Sequence, residues 1–156
     1  MVHPLQGETS SMTKSSTLVV NEAAANADTR FVAPDLVALD AKGAPRLIGG
    51  RCRKCNAVSF PRAAVCANCL SEDIETIELA HEGTLYSYSI VHQAPKGWTV
   101  PYALGYVDLP DNVRVLAHLD APADKITVNM PMRLSVGVVG ADPAGAPLLS
   151  YTFTPV

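Results

Sequence analysis

No cysteine lies outside residues 52–69, and nothing in the sequence resembles the evenly spread cysteines of a secreted disulfide scaffold. Long hydrophobic runs are missing too. Near the N-terminus the longest apolar run is Leu18, Val19 and Val20, so neither a signal peptide h-region nor a membrane-spanning helix is expected. There is no basic excess: 12 Lys and Arg against 15 Asp and Glu give a net charge of −3, which argues against a strongly basic nucleic-acid binder. Aromatic residues make up 6% of the chain and Trp98 is its one tryptophan. At 156 residues the chain has room for one compact domain with a small module attached, and not for two full-sized domains.

What is there is concentrated. Cys52 and Cys55 form one C-x2-C pair, and Cys66 and Cys69 form a second after a ten-residue span. Each pair makes a tight turn that aims two sulfurs at one point, and two such turns build a tetrahedral thiolate cage suited to zinc. With four protein ligands the metal has no open position for water, so it is structural and catalysis must lie elsewhere. A rubredoxin-like iron site would use the same ligands but lacks a recognisable redox surface nearby. A thioredoxin-like motif would need one pair in a βαβ context. Thiols kept reduced for metal point to the cytoplasm. The residue after each knuckle calls for a left-handed backbone, which Asn56 tolerates and Leu70 does not, so distortion of the second knuckle is expected.

In chain order, residues 1–27 are rich in Ser, Thr, Ala and Asn without an apolar period and read as a flexible tail. Residues 28–48 read as a helical arm, because Phe31, Val32, Leu36, Val37 and Leu39 cluster around Pro34, a residue favoured in a first helical turn. Residues 49–73 form the ribbon, with a short strand at Val58, Ser59 and Phe60 ended by Pro61. The remainder, 74–156, alternates extended segments with turns. Strands are expected over 74–91 (bent at Gly83), 102–109, 113–119, 132–139 and 148–154, with a hairpin turn at Pro110, Asp111 and Asn112. In Val113, Val115, Ala117 and Leu119 one face is core. Five strands, one of them long and bent, suggest a closed OB-type barrel, and residues 120–131, which hold Pro122 and Pro131, read as a loop where such barrels often carry a helix. The fold class is therefore mainly β: an N-terminal helical arm, a rubredoxin-like zinc ribbon and a five-stranded OB-fold barrel.

The motifs, in this order, resemble the zinc-ribbon and OB-fold proteins associated with acyl-CoA enzymes. They are PRLIGGRCRKC at residues 45–55, Phe60-Pro61, the Cys66 pair, GTLYSYSIVHQAP at 83–95, PYALGYVDLP at 101–110, VRVLAHL at 113–119, and Tyr151, Phe153 and Pro155. The run Asn129, Met130, Pro131 departs from a glycine expected there. The resemblance implies a non-catalytic accessory subunit in a hetero-oligomer, with a thiolase or thiolase-like enzyme first among its partners and a hydratase, ketosynthase or aldolase as alternatives. It also implies a scaffold that helps shape a CoA or acyl channel, with CoA or acyl-CoA shared with the partner.

The residues themselves leave the remaining readings open. Arg46, Arg51, Arg53, Lys54 and Arg62 sit on and beside the ribbon, either as a solvated basic face or as contacts for CoA phosphates or an acidic partner. A nucleic-acid module is the competing class, but Glu72, Asp73, Glu75, Glu78 and Glu82 follow directly and would repel a phosphate backbone. A third class is a stand-alone acyl-CoA carrier or enzyme. Lys96, Trp98 and Tyr102 mark a candidate interface loop, with Trp98 either an exposed anchor or a plug for the barrel end. Tyr86, Tyr88, Tyr102 and Tyr106 fall at strand spacing as core or as a stacking platform. Ser87 and Ser89 near His92 do not make a nucleophile-base pair by proximity alone. His81, His92 and His118 read as surface or hydrogen-bonded strand residues.

Overall fold

A computed structural model describes residues 30–156; the tail expected over residues 1–27 lies outside them. Pro45–Cys52 forms β3, which pairs antiparallel with β4 (Val58–Ser59) and β5 (Ile74–Glu78) to make the ribbon. Glycine matters at the crossing. A Cβ at Gly50 would lie 2.8 Å from Ile74 Cγ2 and 2.9 Å from Arg62 Cγ, closer than real side chains approach.

The expected helical arm is not formed, and no α-helix occurs among the described residues. In its place stand β1 (Arg30–Phe31), a single 3-10 turn at Pro34–Leu36 and β2 (Val37–Leu39). Tertiary pairing overrides the local signal. Val37, Ala38 and Leu39 pair with Leu47, Arg46 and Pro45 of β3, and Arg30 and Phe31 run parallel to Leu148 and Leu149. Pro34 does open a helical turn, but the β-branched Val37 passes into a sheet in which its own partner, Leu47, lies ten residues downstream.

The barrel comprises β6 (Glu82–Val91), β7 (Tyr102–Leu109), β8 (Val113–Leu119), β9 (Pro131–Ala141) and β10 (Pro147–Pro155). Neighbours run β6-β7-β8-β10-β9 and back to β6, with β8 and β10 parallel, which is the closed path of an OB barrel. The chain between β5 and β6 breaks at residues 79–81, ahead of Gly83, so β5 stays with the ribbon sheet. Gly83 instead permits close approach, since a Cβ there would collide with the Asp108 carbonyl oxygen. Residues 120–130 carry only a 3-10 turn, Ala123–Lys125, and send Ile126 into the core. Asn129 adopts a φ of 69°, so it fills the left-handed position at which glycine was expected, as its short polar side chain allows.

One apolar core serves both parts. Phe153, Leu85, Met132, Val107 and Val115 are fully buried in the barrel, and Leu47 of β3 is buried in the same cluster. Phe60 of the ribbon meets Tyr151 of β10 edge to face at 5.6 Å. β3 thus runs from the barrel core at Leu47 to the ribbon at Cys52, both almost fully enclosed.

Candidate metal centre and barrel end

The first knuckle closes when Asn56 N–H donates to the Cys52 carbonyl at 2.8 Å; in the second, Leu70 N–H donates to the Cys66 carbonyl at 2.9 Å. Both turn residues are left-handed, Asn56 at φ 61° and Leu70 at φ 59°. The expected distortion of the second knuckle is therefore absent. Leu70 accepts a backbone that costs roughly 1–2 kcal/mol, a small sum beside the free energy of metal binding.

The four sulfurs lie within 4.8 Å of one another. Cys52 Sγ and Cys69 Sγ are 3.6 Å apart, and Cys55 Sγ and Cys66 Sγ 3.5 Å. A zinc tetrahedron with bonds of about 2.3 Å has edges of about 3.8 Å, so the set fits zinc with little adjustment. The electrostatics agree. The Asn68 side chain and the Ala57 N–H bring the Cys55 thiol down to about 6. The Ser71 N–H pulls Cys69 the same way, but burial and the three neighbouring sulfurs push it up to about 12. Sulfurs this crowded cannot all be anionic without a cation, and a divalent metal removes that conflict by taking all four as thiolates. Cys52, Cys55, Cys66 and Cys69 would hold a structural zinc.

The basic residues around the cage are largely engaged. Arg46 pairs with Asp40 at 2.8 Å, Arg53 with Glu75 at 3.3 Å and with Asp73 at 3.7 Å, and Arg51 reaches Glu75 at 4.0 Å. Arg62 donates to the Ile74 carbonyl at 2.8 Å, while Lys54 is exposed. Of the acidic residues that follow the cage, Asp73 and Glu75 therefore pair with Arg51 and Arg53, a pairing that sequence proximity alone left unresolved.

At the barrel, Trp98 packs onto its neighbours. It is half-buried, its backbone bridges Gly140 of β9, and its ring stacks on His118 at 5.3 Å. Tyr102 stacks on the same imidazole at 4.4 Å. A Cβ at Gly140 would collide with the Gly97 carbonyl oxygen, so this close crossing of loop and strand requires glycine. Burial lowers the His118 pKa below its ordinary value and favours the neutral ring. Lys96, His81 and His92 are exposed, as are Tyr86, Tyr88 and Tyr106, which lie outside the core. Arg114 covers the Tyr86 ring at 3.3 Å while its guanidinium holds Asp108 at 2.6 and 2.9 Å. Sequence reasoning missed the tiling of Trp98, His118 and Tyr102, because it depends on the bridge from loop to β9.

A four-cysteine ribbon continuous with an OB barrel defines a class of zinc-ribbon and OB-fold proteins. Family models match both parts, the ChsH2 rubredoxin-like zinc ribbon domain over residues 39–75 and the ChsH2 C-terminal OB-fold domain over residues 76–137. The chain belongs to this ChsH2-type family. It is 39% identical over 127 residues to the benzoylsuccinyl-CoA thiolase subunit BbsA of Thauera aromatica, covering 81% of this chain and 88% of that protein. It is 30% identical over 115 residues to a DUF35 domain-containing scaffold protein of Methanocaldococcus jannaschii, covering 70% and 82%. Among solved structures, the Ltp2-ChsH2(DUF35) aldolase matches with a TM-score of 0.58 and 32% identity, over 70% of this chain and 84% of that one.

Proposed function

We propose that this chain is a non-catalytic, zinc-containing subunit that docks on and stabilises an acyl-CoA-processing enzyme, a thiolase acting on a β-ketoacyl-CoA first among them. The observation that carries the reading is the match to a thiolase subunit across ribbon and barrel together, over 81% of the chain. The chemistry of the chain supports it. Every cysteine belongs to the closed metal cage, so the nucleophile for acyl transfer has to come from the partner. The ribbon and barrel supply architecture, and the proposed contacts are Lys54 and the neighbouring arginines on one side and Lys96, Trp98 and Tyr102 on the other. In this reading the chain also lines part of the CoA or acyl channel of the complex. An aldolase partner is the second reading, favoured by the likeness to the aldolase complex.

The test is mild affinity purification of the tagged chain from its native cell, then native mass spectrometry with and without CoA. A stoichiometric thiolase whose activity falls on separation and returns on mixing supports the subunit role, and Trp98→Ala should weaken that complex by about 2 kcal/mol or more. A lone protein, or one carrying RNA, overturns it.

A further inference from the structure

The four cysteines of the cage are not equally placed. Cys52 and Cys66 are 1% and 5% exposed. Cys55 and Cys69 are half-buried, and their chain neighbours are open to solvent, Lys54 and Asn56 beside the first and Asn68 and Leu70 beside the second. An oxidant arriving from water therefore meets Cys55 and Cys69 first.

A second observation is which sulfurs touch. Cys52 Sγ meets Cys69 Sγ at 3.6 Å and Cys55 Sγ meets Cys66 Sγ at 3.5 Å, both close enough for a hydrogen bond between thiols. Each contact crosses from one knuckle to the other and joins an accessible cysteine to a sealed one. A disulfide is about 2.05 Å long, so each pair has to close by about 1.5 Å. Cys55, Cys66 and Cys69 lie outside every strand, so the turns can take up that movement. Of the three ways to pair four cysteines, joining Cys52 to Cys66 would place both partners out of reach of the oxidant. The nested pairing of Cys55 with Cys66 inside Cys52 with Cys69 follows the contacts already made.

We propose that the cage is a site of reversible oxidative modification by hydrogen peroxide, which closes these nested disulfides across the knuckles and discharges the metal. The accessible thiolate attacks a peroxide oxygen: the O–O bond breaks, a sulfenic acid forms and hydroxide leaves. The sealed thiolate facing it then attacks the sulfenic sulfur, so that the S–S bond forms, the S–O bond breaks and a second hydroxide leaves. For each disulfide two thiolates give up two electrons and one peroxide is reduced. Two lost donors leave the cage short of the four that structural zinc takes, and a second peroxide closes the remaining pair. Because both bonds cross between the knuckles, the two turns stay tied in place of the metal. The inference concerns the chain itself and does not rest on its docking to an enzyme.

The experiment adds hydrogen peroxide stepwise to the zinc-loaded full chain beside a chromogenic zinc chelator, with the chelator alone as baseline. All of the bound zinc should be released within a few equivalents, and the intact mass should fall by two hydrogens for each bond formed. After alkylation of free thiols, trypsin cuts behind Arg53 and Lys54 and so separates Cys52 from Cys55, and tandem fragmentation between Cys66 and Cys69 identifies the partner of each. The expected bonds are Cys55 to Cys66 and Cys52 to Cys69, and dithiothreitol with added zinc should restore both the mass and the full zinc content. Zinc retained under about a hundredfold excess of peroxide overturns the proposal. Bonds formed within the knuckles, or sulfinic and sulfonic acids in place of disulfides, overturn it as well.

Discussion

The ribbon and the barrel are built from the same kind of antiparallel strand, yet different forces hold them. The ribbon's own buried cluster is Cys52, Cys66 and Ile74, two of which are metal ligands. The barrel surrounds Phe153 with Leu85, Val107, Val115, Met132 and others that water does not reach. The knuckle end, with so little apolar surface of its own, depends on its metal, whereas the barrel, together with Leu47, Val58, Phe60 and Ile77 of the ribbon, is stabilised by burial at roughly 25 cal/mol per Å² of apolar surface. The difference teaches where each part is vulnerable: the ribbon to chelation and oxidation, the barrel to loss of volume.

The largest expected effect is on the ribbon. Cys66→Ser should abolish stoichiometric zinc, as read by metal analysis, and unfold residues 49–73, because structural zinc contributes on the order of 10 kcal/mol to such modules. A metal-free variant with an intact ribbon would erase the contrast between the two parts. Next comes Phe153→Ala, which should destabilise the barrel by about 3–5 kcal/mol in urea unfolding while the zinc content of the remaining folded protein stays at one. A third change works in the opposite direction. Leu70 is 78% exposed and left-handed, so Leu70→Asn should stabilise the second knuckle by about 1 kcal/mol and raise its resistance to chelators. A loss of zinc affinity would show that Leu70 has a packing role in the ribbon.

The smallest effect is a pH dependence confined to the barrel. Burial holds the folded His118 below its ordinary 6.5, so the unfolded chain takes up that proton first. The contribution is therefore fully present above pH 6.5 and is lost as pH falls through the lowered folded value. His118→Gln should remove that part of the slope in urea midpoints measured between pH 7.5 and pH 5.5, leaving the carboxylate-driven slope at lower pH.

The barrel was legible because its signals are local. Alternation from Val113 to Leu119 and the turn at Asn112, whose φ is 57°, mark strands and hairpin without knowledge of the partner strands. The cage was legible for the same reason, since both knuckles are set by two-residue spacings. The arm was not, because Val37–Leu39 become a strand only in the presence of β3. The ion pairs of Arg51 and Arg53 were equally hidden: each depends on which residue faces it across a sheet. Leu70 shows a further limit, as a poor local preference yields when a metal dictates the turn.

β3 has a mechanical consequence. Eight residues of continuous strand, spanning roughly 26 Å, enter the barrel at Leu47 and end at a metal ligand. A second link returns just after β5, where Leu79 N–H donates to the Leu47 carbonyl at 2.9 Å. Two parallel ties do not act as a hinge. The metal cage is thus tied to the barrel core at two points, so any larger body gripping both parts would have its own surfaces held at a fixed spacing.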